Sequence, residues 1–88
     1  MFIKLNKINK DFDNNYYLSE IRLNVSHILF ISENTMMRKD LLEGNIKMDL
    51  NPMVRFTDIF LSELTGRQTI TVIGKPETIE GKISFSNK

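Results

Sequence analysis

His27 is the single histidine of the chain and stands next to Ser26, so this pair is the first place to look for a base and a nucleophile. Such chemistry needs the imidazole within hydrogen-bond reach of the hydroxyl and a third group that orients the ring. Adjacent side chains on a strand point to opposite faces, so Ser26 and His27 read as turn or strand-edge residues. The carboxylate groups Asp11 with Asp13, and Asp40 with Glu43, are the candidates for Ca or Mg. Hard cations need oxygen ligands at alternate positions of a dedicated loop, and neither group sits in one, so both read as solvated turns. Gly44, Gly66, Gly74 and Gly81 are isolated from one another. In Gly74-Lys75-Pro76 a proline stands where a phosphate-cradling loop needs a backbone donor. Without cysteine the chain has no thiolate metal site, disulfide or cysteine nucleophile. No acid, base and nucleophile assemble into a set, and the expectation is a protein that is not an enzyme, with no cofactor, no metal and no small-molecule substrate.

Two other constellations bear on binding. Lys4, Lys7 and Lys10, with Arg22 on a neighbouring strand and Tyr16 or Tyr17 between them, combine positive charge with aromatic platforms, as single-strand nucleic-acid binders do. Asp11, Asp13 and Glu20 share the same hairpin and cancel much of that charge, so a solvated face with protective edge lysines is the competing reading. Met36, Met37, Met48 and Met53 concentrate four of the five methionines in one stretch. Methionine suits adaptable contact surfaces and irregular core gaps alike, so residues 34–53 are either a docking arm or core filler. With Phe56, Phe60 and Phe85, these methionines form the candidate interaction set.

The elements that position these residues follow from periodicity. Phe2 to Ile8 alternates as a strand, Asn9 to Asn15 is rich in turn-forming Asx, and Tyr16 to Leu23 alternates again, which predicts a hairpin. After Asn24-Val25-Ser26-His27, the apolar run Ile28 to Ile31 predicts a strand covered on both faces, the best core candidate. Glu33 to Asn45 reads as a short helix or ordered loop, with Gly44 as its cap. Ile46, Met48 and Leu50 alternate as a strand that stops at Asn51-Pro52, and Val54 to Phe60 is a further strand candidate. Thr57 to Leu64 fits a helix or a strand equally. Thr65 to Gln68 reads as a turn and Thr69 to Ile73 as a strand. Pro76 with Glu77 opens a helix whose Ile79 and Ile83 share a side. The tail Ser84 to Lys88 is expected to be ordered by contact with something.

Phe2-Ile3-Lys4-Leu5, Leu23-Asn24 before Ile28 and Ile31, Thr65-Gly66-Arg67 before Ile70-Thr71-Val72, and Pro76-Glu77-Thr78-Ile79 to Ile83 resemble a family of very small flagellar and swarming-motility accessory proteins. Similar short proteins are encoded by phages and mobile elements. The resemblance implies a few antiparallel strands closed by a C-terminal helix and supplies no catalytic residues. Where that family has a tight hairpin, this chain carries Asn34 to Met53.

The chain has 88 residues and a net charge of +1, enough for one domain over 1–88 and too little charge to coat a phosphate backbone. Its 41% hydrophobic and 26% charged residues are those of a folding chain. A core of this size supplies roughly 3 to 5 kcal/mol, and with no disulfide or metal to add to it, association is the remaining source of stability. Alanine is absent, while Ile occurs eleven times and Asn nine, which points to AT-rich coding and tilts the chain toward strand. Neither a secretory signal nor a membrane-spanning stretch is read, so the expected location is the cytoplasm or a virion assembled there.

Together these readings predict an α+β, β-rich fold: a small antiparallel sheet of four to six strands, open or barrel-like, with a short C-terminal helix. The expected function is that of a structural or interaction protein, of phage or mobile-element origin, that oligomerises or docks on a larger assembly. A small regulator binding nucleic acid or a host protein is the alternative.

Overall fold

The computed structural model describes residues 1–63 and 66–86. Strands β1 (Phe2–Lys10) and β2 (Tyr16–Asn24) pair over their whole length, from Phe2 opposite Asn24 to Lys10 opposite Tyr16. The tip between them is tied by Asp11, whose Oδ1 accepts from the backbone N–H groups of Asp13 and Asn15, both at 2.9 Å. Asn14 takes the left-handed conformation that an Asx residue tolerates, at φ 64°. A single 3₁₀ turn, Val25–His27, is capped by the Asn24 side chain and leads into β3 (Ile28–Glu33).

Helix α1 (Thr35–Leu42) starts at Asn34, whose Oδ1 accepts from the Met37 N–H at 2.9 Å. Of the helix and the ordered loop that the sequence left open the helix forms, and it ends at the cap candidate Gly44, which has φ 78°. The Gly44 N–H donates to the Leu41 carbonyl and the Asn45 N–H to the Asp40 carbonyl, which satisfies two end carbonyls. An irregular segment then runs to β4 (Phe56–Glu63), which forms a hairpin with β5 (Gly66–Ile73), and α2 (Pro76–Ser86) closes the described chain.

The five strands form one antiparallel sheet in the order β2-β1-β5-β4-β3. β1 joins β5 through a single pair, Lys7 opposite Val72, whereas β4 and β5 pair from Phe56–Ile73 to Glu63–Gly66. This joint is where the sheet bends. Asn24 and Ile28 lie on opposite edges and, by register, at opposite ends, so a flat sheet holds them about 35 Å apart. The chain between them reaches at most about 14 Å. The β1–β2 hairpin must therefore fold back over β5-β4-β3, bringing the two apolar faces together. β2 and β3 remain unpaired edges, so the sheet is an open half-barrel and not a closed barrel.

Ile3 and Leu5 of β1, Ile59 and Leu61 of β4, Ile70 and Val72 of β5 and Ile79 of α2 form the core. Ile21, Leu23, Val25, Ile28, Ile31 and Ile83 pack around it. Ile79 and Ile83 share the inner side of α2, which touches β1, β3 and β4.

Several expectations need correction. Ile28 to Ile31 is an edge strand, half-buried at Ile28 and Ile31 and exposed at Leu29 and Phe30. A continuous apolar run looks the same at an edge as in a core centre. Ile46 to Leu50 is not a strand, because no neighbouring strand lies alongside to pair with it. Its alternation reflects Ile46 turning inward and Met48 and Leu50 lying half-buried. Residues 34–53 are α1 plus this irregular segment, and Ile46 anchors the segment in the interior. Asn9 and Lys10 belong to β1, and Gly66 to Gln68 belong to β5. Thr57 to Glu63 is strand, because pairing on both sides outweighs the helical reading. Ser84 and Phe85 are the last turn of α2 and not a tail. Leu64, Thr65, Asn87 and Lys88 lie outside the described residues.

Candidate functional site

Ser26 and His27 are both exposed on the 3₁₀ turn, and the Ser26 hydroxyl donates to Asn24 Oδ1 at 2.8 Å. Asp11 is consumed by its own turn. Asp40 and Glu43 share the side-chain amide of Asn45 at 3.5 Å each. Among the described residues no group of three or more His, Asp or Glu could hold a metal ion. No described helix is long and apolar enough to cross a membrane.

The strand register divides the basic set. Lys4 lies opposite Arg22 and Lys10 opposite Tyr16, so these four share one face of the hairpin. Lys7 and Tyr17, at odd positions, stand on the other face. On the shared face Lys4 Nζ lies 3.8 Å from Glu20, and Lys10 Nζ sits over the Tyr16 ring, 5.4 Å from its centroid. The aromatic platform is thus already covered by a cation.

Of the candidate interaction residues, Phe56 is fully buried and presents no surface. Met37 and Met48 are half-buried, while Met36 and Met53 are well exposed. Phe60 is half-buried under Phe30, the rings stacked with centroids 4.2 Å apart. Stacking holds Phe30 flat against the sheet, yet it remains 57% exposed, and its neighbour Leu29 is 51% exposed.

Leu29 and Phe30 sit on the free edge of β3, where the register shifts between Ile28 and Phe30. The only charge on this strand is Glu33, and Arg55 holds it through both ends of the guanidinium, Nε to Oε2 at 2.9 Å and Nη2 to Oε1. The hydrogen bonds from Arg55, reinforced by the charges of Arg55 and Arg38, hold the Glu33 carboxyl below its ordinary range against the opposing pull of desolvation. Next to this pair, Asn34 Nδ2 donates to Asp58 Oδ1 at 3.1 Å, and the Thr71 hydroxyl donates to the same oxygen at 2.6 Å. Polar groups thus fix the far end of β3, and its near end is apolar and open.

A second apolar feature lies at the diverging end of β1. Phe2, Ile3 and Lys4 face Thr78, Gly81, Lys82 and Phe85 of α2 across a groove of about 480 Å³. Thr78, Gly81, Lys82 and Phe85 follow the i, i+3, i+4, i+7 spacing of one helix stripe, next to the stripe that Ile79 and Ile83 turn inward. Gly81 leaves the middle of the groove empty, since a methyl group there meets nothing within 4 Å. Phe2 is 65% exposed and Phe85 80% exposed, one on each wall. Of these residues the sequence reading singled out Phe85 and, for a different role, Lys4. The stripe on α2 was the signal that could have found the others.

α2 is aimed by the joint before it. Gly74 has φ 128°, a conformation that L side chains rarely adopt, and its N–H donates to the Arg55 carbonyl at 2.8 Å. Its carbonyl accepts the hydroxyl of Thr57 at 2.7 Å, and Thr57 is fully buried. No protein-family model matches the chain, and neither a curated protein nor a solved structure matches it.

Proposed function

We propose that the chain is a non-enzymatic interaction protein, of phage or mobile-element origin, that works by oligomerising or by docking on a larger protein assembly such as a virion. The free edge of β3 carries this reading. It offers unpaired backbone beside two exposed apolar side chains, and its only carboxylate is occupied by Arg55. Soluble proteins commonly protect such edges with charged side chains, proline or a bulge. β2, the other edge, carries exposed Glu20 and Arg22, whereas β3 has the register shift between Ile28 and Phe30 and no free charge beside Leu29 and Phe30. An edge left bare suits a surface that is covered in the working state.

The nucleic-acid regulator draws less support, because Lys4 and Lys10 already have partners within the hairpin and Lys7 and Tyr17 face away.

Light scattering on a sizing column over a dilution series tests the proposal, with Leu29→Lys and Phe30→Lys run beside the parent. The expected result is a discrete oligomer, or a stable complex with a partner protein, that both substitutions weaken. A parent that stays monomeric and loads nucleic acid in a salt-sensitive way sinks the proposal.

A further inference from the structure

We infer that the groove between β1 and α2 is a strand-addition site for an extended, acidic and apolar peptide segment of a partner protein. The inference rests on the interaction-protein reading and names a site, distinct from the β3 edge, and the chemistry of its occupant.

The backbone of β1 makes the first half of the argument. Residues Phe2, Ile3 and Lys4 line the main groove, and Lys4, Leu5 and Asn6 line a smaller one that continues it past Lys82. The smaller hollow also touches Glu20 of β2, opposite Asn6, so it lies over the outer face of the hairpin, while Phe2, Ile3 and Lys4 border the main groove on the side of α2. Lys82 Nζ approaches the Lys4 carbonyl at 3.4 Å, so that carbonyl points toward α2 and away from β2. In an antiparallel pair the backbone groups alternate in direction, so Phe2 and Asn6 share the orientation of Lys4. β5 meets β1 only at Lys7 opposite Val72, and the chain then leaves the sheet at Gly74. Phe2 and Lys4 therefore turn N–H and C=O groups toward α2 with no strand beside them. A strand edge with a helix stripe opposite it is the geometry in which an added strand gains main-chain hydrogen bonds on one side and side-chain pockets on the other.

The charge lining makes the second half. The charged residues of the main groove are Lys4 and Lys82, and the continuation adds only Glu20, which lies 3.8 Å from Lys4 Nζ. An incoming N–H takes the Lys4 carbonyl from Lys82, and the released ammonium is free to meet a carboxylate of the added strand. Phe2 and Phe85 on the two walls accept its apolar side chains, and the space over Gly81 lets its backbone approach. The occupant is thus extended, carries Asp or Glu, and alternates it with apolar residues.

The test is a nitrogen-15 amide shift titration of the full chain with a hexapeptide of alternating valine and glutamate. A second hexapeptide of the same sequence carries N-methyl groups on alternate residues, which removes its main-chain donors and keeps its charge. The expected result is shifts concentrated at Phe2 to Asn6 and Thr78 to Phe85, at least tenfold weaker binding of the N-methyl peptide, and a similar loss in Gly81→Leu and Lys82→Glu. Gly81→Leu fills open space on a helix and is checked for an unchanged fold by circular dichroism. Equal binding of both peptides, shifts centred elsewhere, or no shifts at millimolar peptide overturns the inference. If the peptide fails while the light-scattering experiment still shows assembly weakened by the β3 substitutions, the strand-addition site falls and the interaction-protein reading stands. Failure of both removes both.

Discussion

The joint between Thr57 and Gly74 gives the sharpest test of how the fold aims α2. Thr57 is the one buried polar side chain among the described residues, with its hydroxyl 2.7 Å from the Gly74 carbonyl. Thr57→Val keeps the shape and removes the donor. The lost bond is worth about 0.5–1.5 kcal/mol, and the stranded carbonyl brings the total to about 1–3 kcal/mol. Against the roughly 3 to 5 kcal/mol expected of a core of this size, the loss is readily measured. Thr57→Ser keeps the donor and deletes one methyl, at a cost of about 1 kcal/mol. Urea unfolding followed by circular dichroism reads both. With m near 1 kcal/mol/M, Thr57→Val lowers the midpoint by about 1 M or more without changing m, and Thr57→Ser lowers it less. A valine variant at or above the parent midpoint, or a serine variant below the valine one, refutes the reasoning.

Three further outcomes are expected. Glu33 sits below its ordinary carboxyl range in the folded chain, so its contribution is complete above about pH 4.3 and is lost as pH falls through the lowered value. Thermal melts from pH 7 to pH 3 should show the gap between parent and Glu33→Gln closing on the acid side, and a gap independent of pH contradicts the assignment. Gly74→Ala forces a side chain into φ 128° and sets its Cβ 3.2 Å from Ile79 Cδ1, so it should destabilise by more than about 1 kcal/mol in the same urea assay; parity with the parent argues against the strained joint. Gly81→Ala replaces a helical glycine over open space and should stabilise by about 0.5–1 kcal/mol, raising Tm by about 2–8 °C. A lower Tm there means that the stripe is packed and not open.

Local patterns carried much of the fold into the sequence. The Asx-rich tip, the alternation of Ile3 with Leu5 and of Ile21 with Leu23, the Gly44 cap and the Pro76 helix start are short-range effects. Each is settled by a few neighbouring dihedrals, and each is where the sequence places it within a residue or two. The β-rich antiparallel class with a closing helix follows from those elements. Which strand stands at the centre is not a local property. Ile28 to Ile31 is more apolar than Thr69 to Ile73, yet β5 is inside and β3 is an edge. The short Asn24–Ile28 link and the single-pair joint at Lys7–Val72 decide that order, through chain reach and sheet curvature.

The candidate surfaces divide in the same way. Residue types alone marked Phe85, Phe60 and the methionines as sticky, and they separated neither buried Phe56 from exposed Phe30 nor Lys4 from Lys7. Burial and strand face depend on which element lies opposite, which is information held by pairs of distant residues. The groove beside β1 exists only because β5 ends at Ile73 while β1 continues to Phe2, and because the Gly74 turn lays α2 across the gap. The sequence by itself determined the chemistry on offer and the elements with a strong local signal, and it settled neither Ile46 to Leu50 nor Thr57 to Glu63. The tertiary structure decided which edges stay open, because an edge is defined by the strand that is missing beside it.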